Sequence, residues 1–93
     1  MNLNFNVILI GTAGATVTQT CPSFRVPKGA TVRVYANNRT TAGNAEAIQI
    51  GQYDTDSGDV LQPGNTELYP VPDTGQIHIT GKVGDGAQIS VKA

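Results

Sequence analysis

Ninety-three residues suffice for one hydrophobic core and leave no room for a second, so residues 1–93 are expected to form a single domain. Six basic and seven acidic side chains give a net charge of −1, and the basic ones (Arg25, Lys28, Arg33, Arg39, Lys82 and Lys92) are scattered, which excludes the basic stripe that a nucleic-acid partner requires. The one cysteine, Cys21, excludes an intrachain disulfide and a thiolate metal cluster, and is expected as a small buried hydrophobe in a chain made in a reducing cytosol.

Valine and isoleucine together number sixteen against four leucines, and side chains branched at Cβ suit a pleated surface better than a helix. Asn, Gln, Ser and Thr total 27 against 13 charged residues, so the surfaces of that sheet are dressed in neutral polar groups. Aromatic residues make up 5% and tryptophan is absent. A core this thin gains stability from partner subunits, and a homo-oligomer is expected.

In chain order, Leu3, Phe5, Val7 and Leu9 alternate with Asn2, Asn4, Asn6 and Ile8, which predicts a strand over residues 3–10 ended by Gly11-Thr12-Ala13-Gly14. Residues 1–6 hold no Lys or Arg, so the run 7–10 lacks the positive flank of a signal peptide, and it is too short to cross a bilayer; a leaderless, soluble chain is expected. Residues 15–20 alternate Ala15, Val17 and Gln19 with three threonines. A short extended piece, residues 24–26, lies between Pro22 and Pro27. Residues 31–36 form the clearest strand, with Val32, Val34 and Ala36 on one face and Thr31, Arg33 and Tyr35 on the other.

Residues 37–44 read as a polar loop and 45–51 as a strand that turns Ile48 and Ile50 inward. A loop over 54–59 follows, then a strand start at Val60-Leu61 that Pro63-Gly64 interrupts, and extended chain again over 66–69. Pro70 and Pro72 confine residues 70–73 to an edge or a connection. Residues 76–80 and 87–92 close the chain as a pair, joined by a glycine-dense loop over 81–86. About eight strands at this spacing, with turn signals between them and no helical periodicity, predict an all-β antiparallel sandwich or small barrel.

Chemistry is sparse in this sequence. Asp54, Asp56 and Asp59 could offer hard oxygen ligands to a cation, but Gly58 and Asn65 stand where the helix-loop-helix calcium pattern needs a carboxylate or amide and a Glu. Acidic residues that bond their own backbone explain such a loop without an ion, so no metal and no cofactor are expected. His78 is the only histidine, and with Ile77 and Ile79 on the opposite face it points outward or toward a subunit interface. One His, one Cys and the serines Ser23, Ser57 and Ser90 do not assemble a nucleophilic triad, and no G-x-S-x-G elbow exists, so the chain is not expected to be an enzyme. Tyr35, Tyr53 and Tyr69, with the 37–44 loop, offer a possible sugar platform; the alternative is that the rings fill the rim of the core. Asn38-Arg39-Thr40 matches the glycosylation acceptor pattern and is expected to be incidental, since no leader is expected.

Leu61-Gln62-Pro63-Gly64, Glu67-Leu68-Tyr69-Pro70-Val71, Gly75-Gln76-Ile77-His78-Ile79 and the run from Gly84 to Val91 succeed one another as apolar residue, Pro-Gly corner, strand, Ile-x-Ile, Gly-Asp turn and closing strand. With Pro27-Lys28-Gly29 and Ile48-Gln49-Ile50-Gly51 upstream, this succession resembles the small β-structured virion proteins of tailed bacteriophages. The likeness covers about two-thirds of the chain, and each of its pieces is a generic sandwich corner. It implies a non-enzymatic structural protein of the virion, made in the host cytoplasm. The role it implies is a capsid decoration (cement) protein bound across major-capsid subunit boundaries, with a minor tail or fibre component or a glycan-binding module as the alternative. The resemblance also implies a homotrimer, with no nucleic-acid or membrane partner. The first strand is long, apolar and uncharged, so it is expected to be covered by its own sheet or by a neighbour. Leu3, Phe5, Val7 and Leu9 are the candidate assembly residues, within an edge-strand arm over residues 1–14.

Overall fold

Period-two alternation of branched residues gives each strand one apolar face, and two such faces closed on each other make the core. The computed structural model describes residues 2–37, 45–52 and 58–92. Among the described residues eight strands follow one another: β1 (Asn2–Ile8), β2 (Thr16–Thr20), β3 (Val32–Ala36), β4 (Ile48–Gln52), β5 (Asp59–Leu61), β6 (Thr66–Tyr69), β7 (Ile77–Lys82) and β8 (Gly86–Lys92). They form two four-stranded sheets, ordered β1-β8-β3-β6 and β2-β7-β4-β5, with every pairing antiparallel. The first strand pairs with the last, the second with the seventh, the third with the sixth and the fourth with the fifth. That is one long hairpin rolled up on itself, the connectivity of a jelly roll. The protein is therefore an open sandwich and not a barrel: β1 and β6 are the edges of one sheet, β2 and β5 of the other.

The inward faces are those the alternation predicts. Val32, Val34, Ile48, Ile77, Ile79, Ile89 and Val91 are buried, and each such side chain stabilises the fold by about 1.5–3 kcal/mol. Tyr69 is also buried, and its hydroxyl donates to Asp59 Oδ2 at 3.2 Å, tying the edge of one sheet to the edge of the other. The Pro63-Gly64 corner is a turn closed by Asn65 N–H on Gln62 C=O at 2.9 Å, with Gly64 at φ 87°, where a glycine carries no Cβ penalty.

The strand start at Val60-Leu61 is β5, which ends before the Pro63-Gly64 turn. Two expectations give way. Residues 24–26 are not a strand: Arg25 makes a single bridge to Asp73, because the prolines on both sides leave too few donors for a ladder. The predicted loop over 81–86 shrinks to residues 83–85, since Gly81 and Lys82 stay in β7 opposite Val17 and Thr16, and Gly86 already pairs with Ile8. Within 70–76, Asp73 caps a 3-10 turn (Thr74–Gln76) by accepting Gly75 N–H at 2.7 Å.

Candidate assembly surfaces

The edge strand β1 offers two different sides. Its odd residues point inward: Val7 and Leu9 are core residues at 3% and 0% exposure, and Leu3 and Phe5 are half-buried against the same core. Val7 and Leu9 therefore leave the predicted assembly set, since a side chain with no exposed surface has none to give a neighbour. The even residues Asn4, Asn6 and Ile8 face solvent. Phe24, 43% exposed, packs its ring 5.4 Å from that of Phe5, so an apolar patch flanks the edge.

Backbone phase decides which amides β1 shows. Leu9 N–H donates to Asp85 C=O and Leu9 C=O accepts Gly84 N–H, both at 2.8 Å, so residue 9 bonds inward across the pair. Hydrogen bonding alternates along an antiparallel ladder, which turns Leu3, Phe5 and Val7 toward β8 in the same way. Gly86 C=O, opposite Ile8, accepts Asn37 N–H from the β3 side at 3.1 Å, in keeping with that phase. The N–H and C=O groups of Asn2, Asn4, Asn6 and Ile8 consequently point away from the sheet. Among the described residues, the Ile8 carbonyl alone meets a donor there, Gln19 Nε2 at 3.5 Å. Residues 2–8 contain no charge and no proline, the two commonest devices that protect an edge.

On the outer face of the same sheet, Asn4, Ser90, Arg33 and Leu68 stand in one cross-strand row and Asn6, Gln88, Tyr35 and Thr66 in the next. Asn4, Arg33, Tyr35, Gln88 and Ser90 line a shallow depression of about 200 Å³. Gln88 Nε2 donates to Asn4 Oδ1 at 2.9 Å, which orients both amides, and Arg33 supplies the only charge among the five.

The outer face of the other sheet is a threonine ladder. Thr18 and Thr80 share a hydroxyl hydrogen bond of 2.7 Å, and Thr20 Oγ1 lies 3.0 Å from His78 Nδ1. Gln49 and Val60 continue the Thr18–Thr80 row to the far edge. His78 is thus part of an outward hydrogen-bonded surface, the side the alternation assigns to it.

The remaining sequence candidates separate in space. Cys21 is buried, and desolvation pushes its thiol up to about 12, so it is no nucleophile at neutral pH. The three-tyrosine platform does not form, because Tyr69 is inside the core at 1% exposure while Tyr35 is on the outer face of the β1 sheet. Burial, with the Asp59 carboxylate beside it, pushes the Tyr69 phenol up. Tyr53, Asp54, Asp56 and residues 38–44 lie outside the described residues; Asp59 begins β5.

The role of Asp85 is set by the fold and by no local sequence pattern. Buried at 4% exposure in the β7–β8 turn, its carboxylate accepts the N–H groups of Ala45 at 3.0 Å and Glu46 at 3.4 Å, and so fastens the chain entering β4. Its place in a Gly-Asp-Gly turn looked like ordinary turn chemistry. Among the described residues no cluster of three or more His, Cys, Asp or Glu is placed to hold a metal, and no helix is long and apolar enough to cross a membrane. Comparison of the chain with protein-family models, with curated proteins and with solved structures returns no match.

Proposed function

We propose that this protein is a non-enzymatic structural component of a bacteriophage virion, a capsid decoration protein that stabilises the head by binding across the boundaries between capsid subunits. The observation that carries the reading is the β1 edge: seven residues without a charge or a proline, among them half-buried Leu3 and Phe5, with exposed Phe24 beside them. An edge of this kind pairs readily with another strand, and leaving it bare invites aggregation. Wide faces of Thr, Asn and Gln add contacts that salt does not screen, unlike surface ion pairs. Jelly rolls serve both viral capsids and lectins, which supports the assignment at the level of fold analogy. The partners in this reading are the major capsid protein or another virion protein and further copies of the chain, without nucleic acid or membrane.

The test is to mix the purified protein with undecorated, expanded heads. Saturable binding with a raised temperature of head disruption supports the role, and absence of either removes it.

A glycan-binding module is the second reading, favoured by the depression lined by Asn4, Arg33, Tyr35, Gln88 and Ser90. Planar amides suit sugar hydroxyls, an aromatic ring suits a sugar's C–H face, and a guanidinium suits a carboxylate. A glycan array with hits that Tyr35→Ala abolishes supports it, and an array without hits removes it.

A further inference from the structure

We infer that the first partner of β1 is a second copy of this chain, paired antiparallel through the two β1 edges about a twofold axis at Phe5. The inference rests on the assembly reading above and names the partner of its central edge.

The hydrogen-bond phase supplies the first argument. Outward N–H and C=O groups belong to the even residues, so two β1 strands can exchange bonds only by pairing even with even. Centring the pair on Phe5 satisfies this over the whole of Asn2–Ile8: Asn4 meets Asn6 of the second copy, Asn6 meets its Asn4, and the terminal pairs are Asn2 with Ile8. No residue is left over and no bulge is needed.

Side chains agree with the same register. The two central pairs put the Asn4 amide beside the Asn6 amide on the outer face, and the strand holds no charge to repel its own image. On the inner face Phe5 lies opposite Phe5 of the second copy in a non-hydrogen-bonded pair, the closer of the two antiparallel spacings. Each Phe5 already carries Phe24 at 5.4 Å, so four rings meet at the seam. The 43% of Phe24 left bare in one molecule is covered there.

The remaining edges fit less well. β6 carries Glu67 and ends at Pro70, β5 is three residues long and begins with Asp59, and β2 is two residues shorter than β1, with Gln19 turned toward Ile8. β1 finds its full length and its lack of charge matched in another β1. Such a contact is isologous and closes at two, whereas the resemblance implies three.

Light scattering on the purified chain, without heads, tests this. The expected mass is twice 9.7 kDa, and the dimer dissociates on dilution. Asn6→Pro removes an outward N–H without touching the β1–β8 ladder, so it yields a folded monomer or weakens the dimer about tenfold or more. Asn6→Lys, which sets like charges near the axis, gives the same result by a second route. Unchanged circular dichroism and thermal unfolding of the monomer confirm that the fold is intact. A wild-type monomer at all concentrations, a trimer, or a dimer indifferent to both substitutions overturns the inference. A monomer that still binds heads saturably overturns it while leaving the decoration role standing.

Discussion

Gly86 and Val7 approach so closely across the β1–β8 pair that a β-carbon on Gly86 would occupy the space of the Val7 carbonyl oxygen. The edge strand is seated by a missing side chain as much as by its hydrogen bonds. Gly86→Ala forces the two strands apart and is expected to cost about 1–3 kcal/mol, the range for overpacking a tight site. Urea unfolding gives the figure, and a variant as stable as wild type contradicts the close approach.

Asp85 holds Ala45 from 40 positions away in the chain, and its burial makes that hold expensive to lose. Asp85→Ala removes two hydrogen bonds to a carboxylate, at an expected cost of about 1.5–3 kcal/mol. Asp85→Asn keeps one acceptor oxygen and is expected to cost less. Amide exchange at Ala45 and Glu46 localises the loss, and should quicken first in the alanine variant.

Leu9 distinguishes a core strand from an arm that folds only on assembly. At 0% exposure, Leu9→Ala is expected to destabilise the isolated protein by about 2–5 kcal/mol. An interface residue would instead leave the unassembled chain unchanged and weaken only association.

Alkaline pH is expected to destabilise the fold through Cys21 and then Tyr69. Both groups hold their protons more tightly folded than unfolded, the thiol moving from 9.0 to about 12 and the phenol upward from 10.0. Stability is complete below pH 9.0, because both groups are then protonated in either state. Above that pH the unfolded chain releases the thiol proton while the native state keeps it, so stability falls as pH rises toward about 12. Cys21→Ala abolishes the decline between pH 9.0 and 10.0, and Tyr69→Phe removes part of what remains above 10.0. Urea midpoints across this range measure both effects.

Strand content was legible because alternation is a local signal: Val32, Val34 and Ala36 can only share a face. The same signal put Ile48, Ile50, Ile77 and Ile79 inside. Where proline supplied the boundary, the reading faltered. Residues 24–26 have the composition of a strand but find only one partner, Asp73, and whether a partner exists is a property of the whole fold. Strand order was illegible for the same reason, since nothing near Leu3 announces that Val91 will lie opposite. The surfaces were half legible. An uncharged β1 could be read directly, yet its apolar side chains suggested an interface until the register turned Val7 and Leu9 into the core. Asp85 and the depression around Arg33 and Tyr35 join residues distant in sequence, which no local pattern reveals.

Hydrogen exchange resolved along β1 tests most directly whether a neighbour covers this edge. If one does, the outward amides of Asn4 and Asn6 exchange as slowly as the inward amides of Phe5 and Val7 in the associated protein. Fast exchange at Asn4 and Asn6 beside slow exchange at Phe5 and Val7, in concentrated solution and on heads alike, contradicts it.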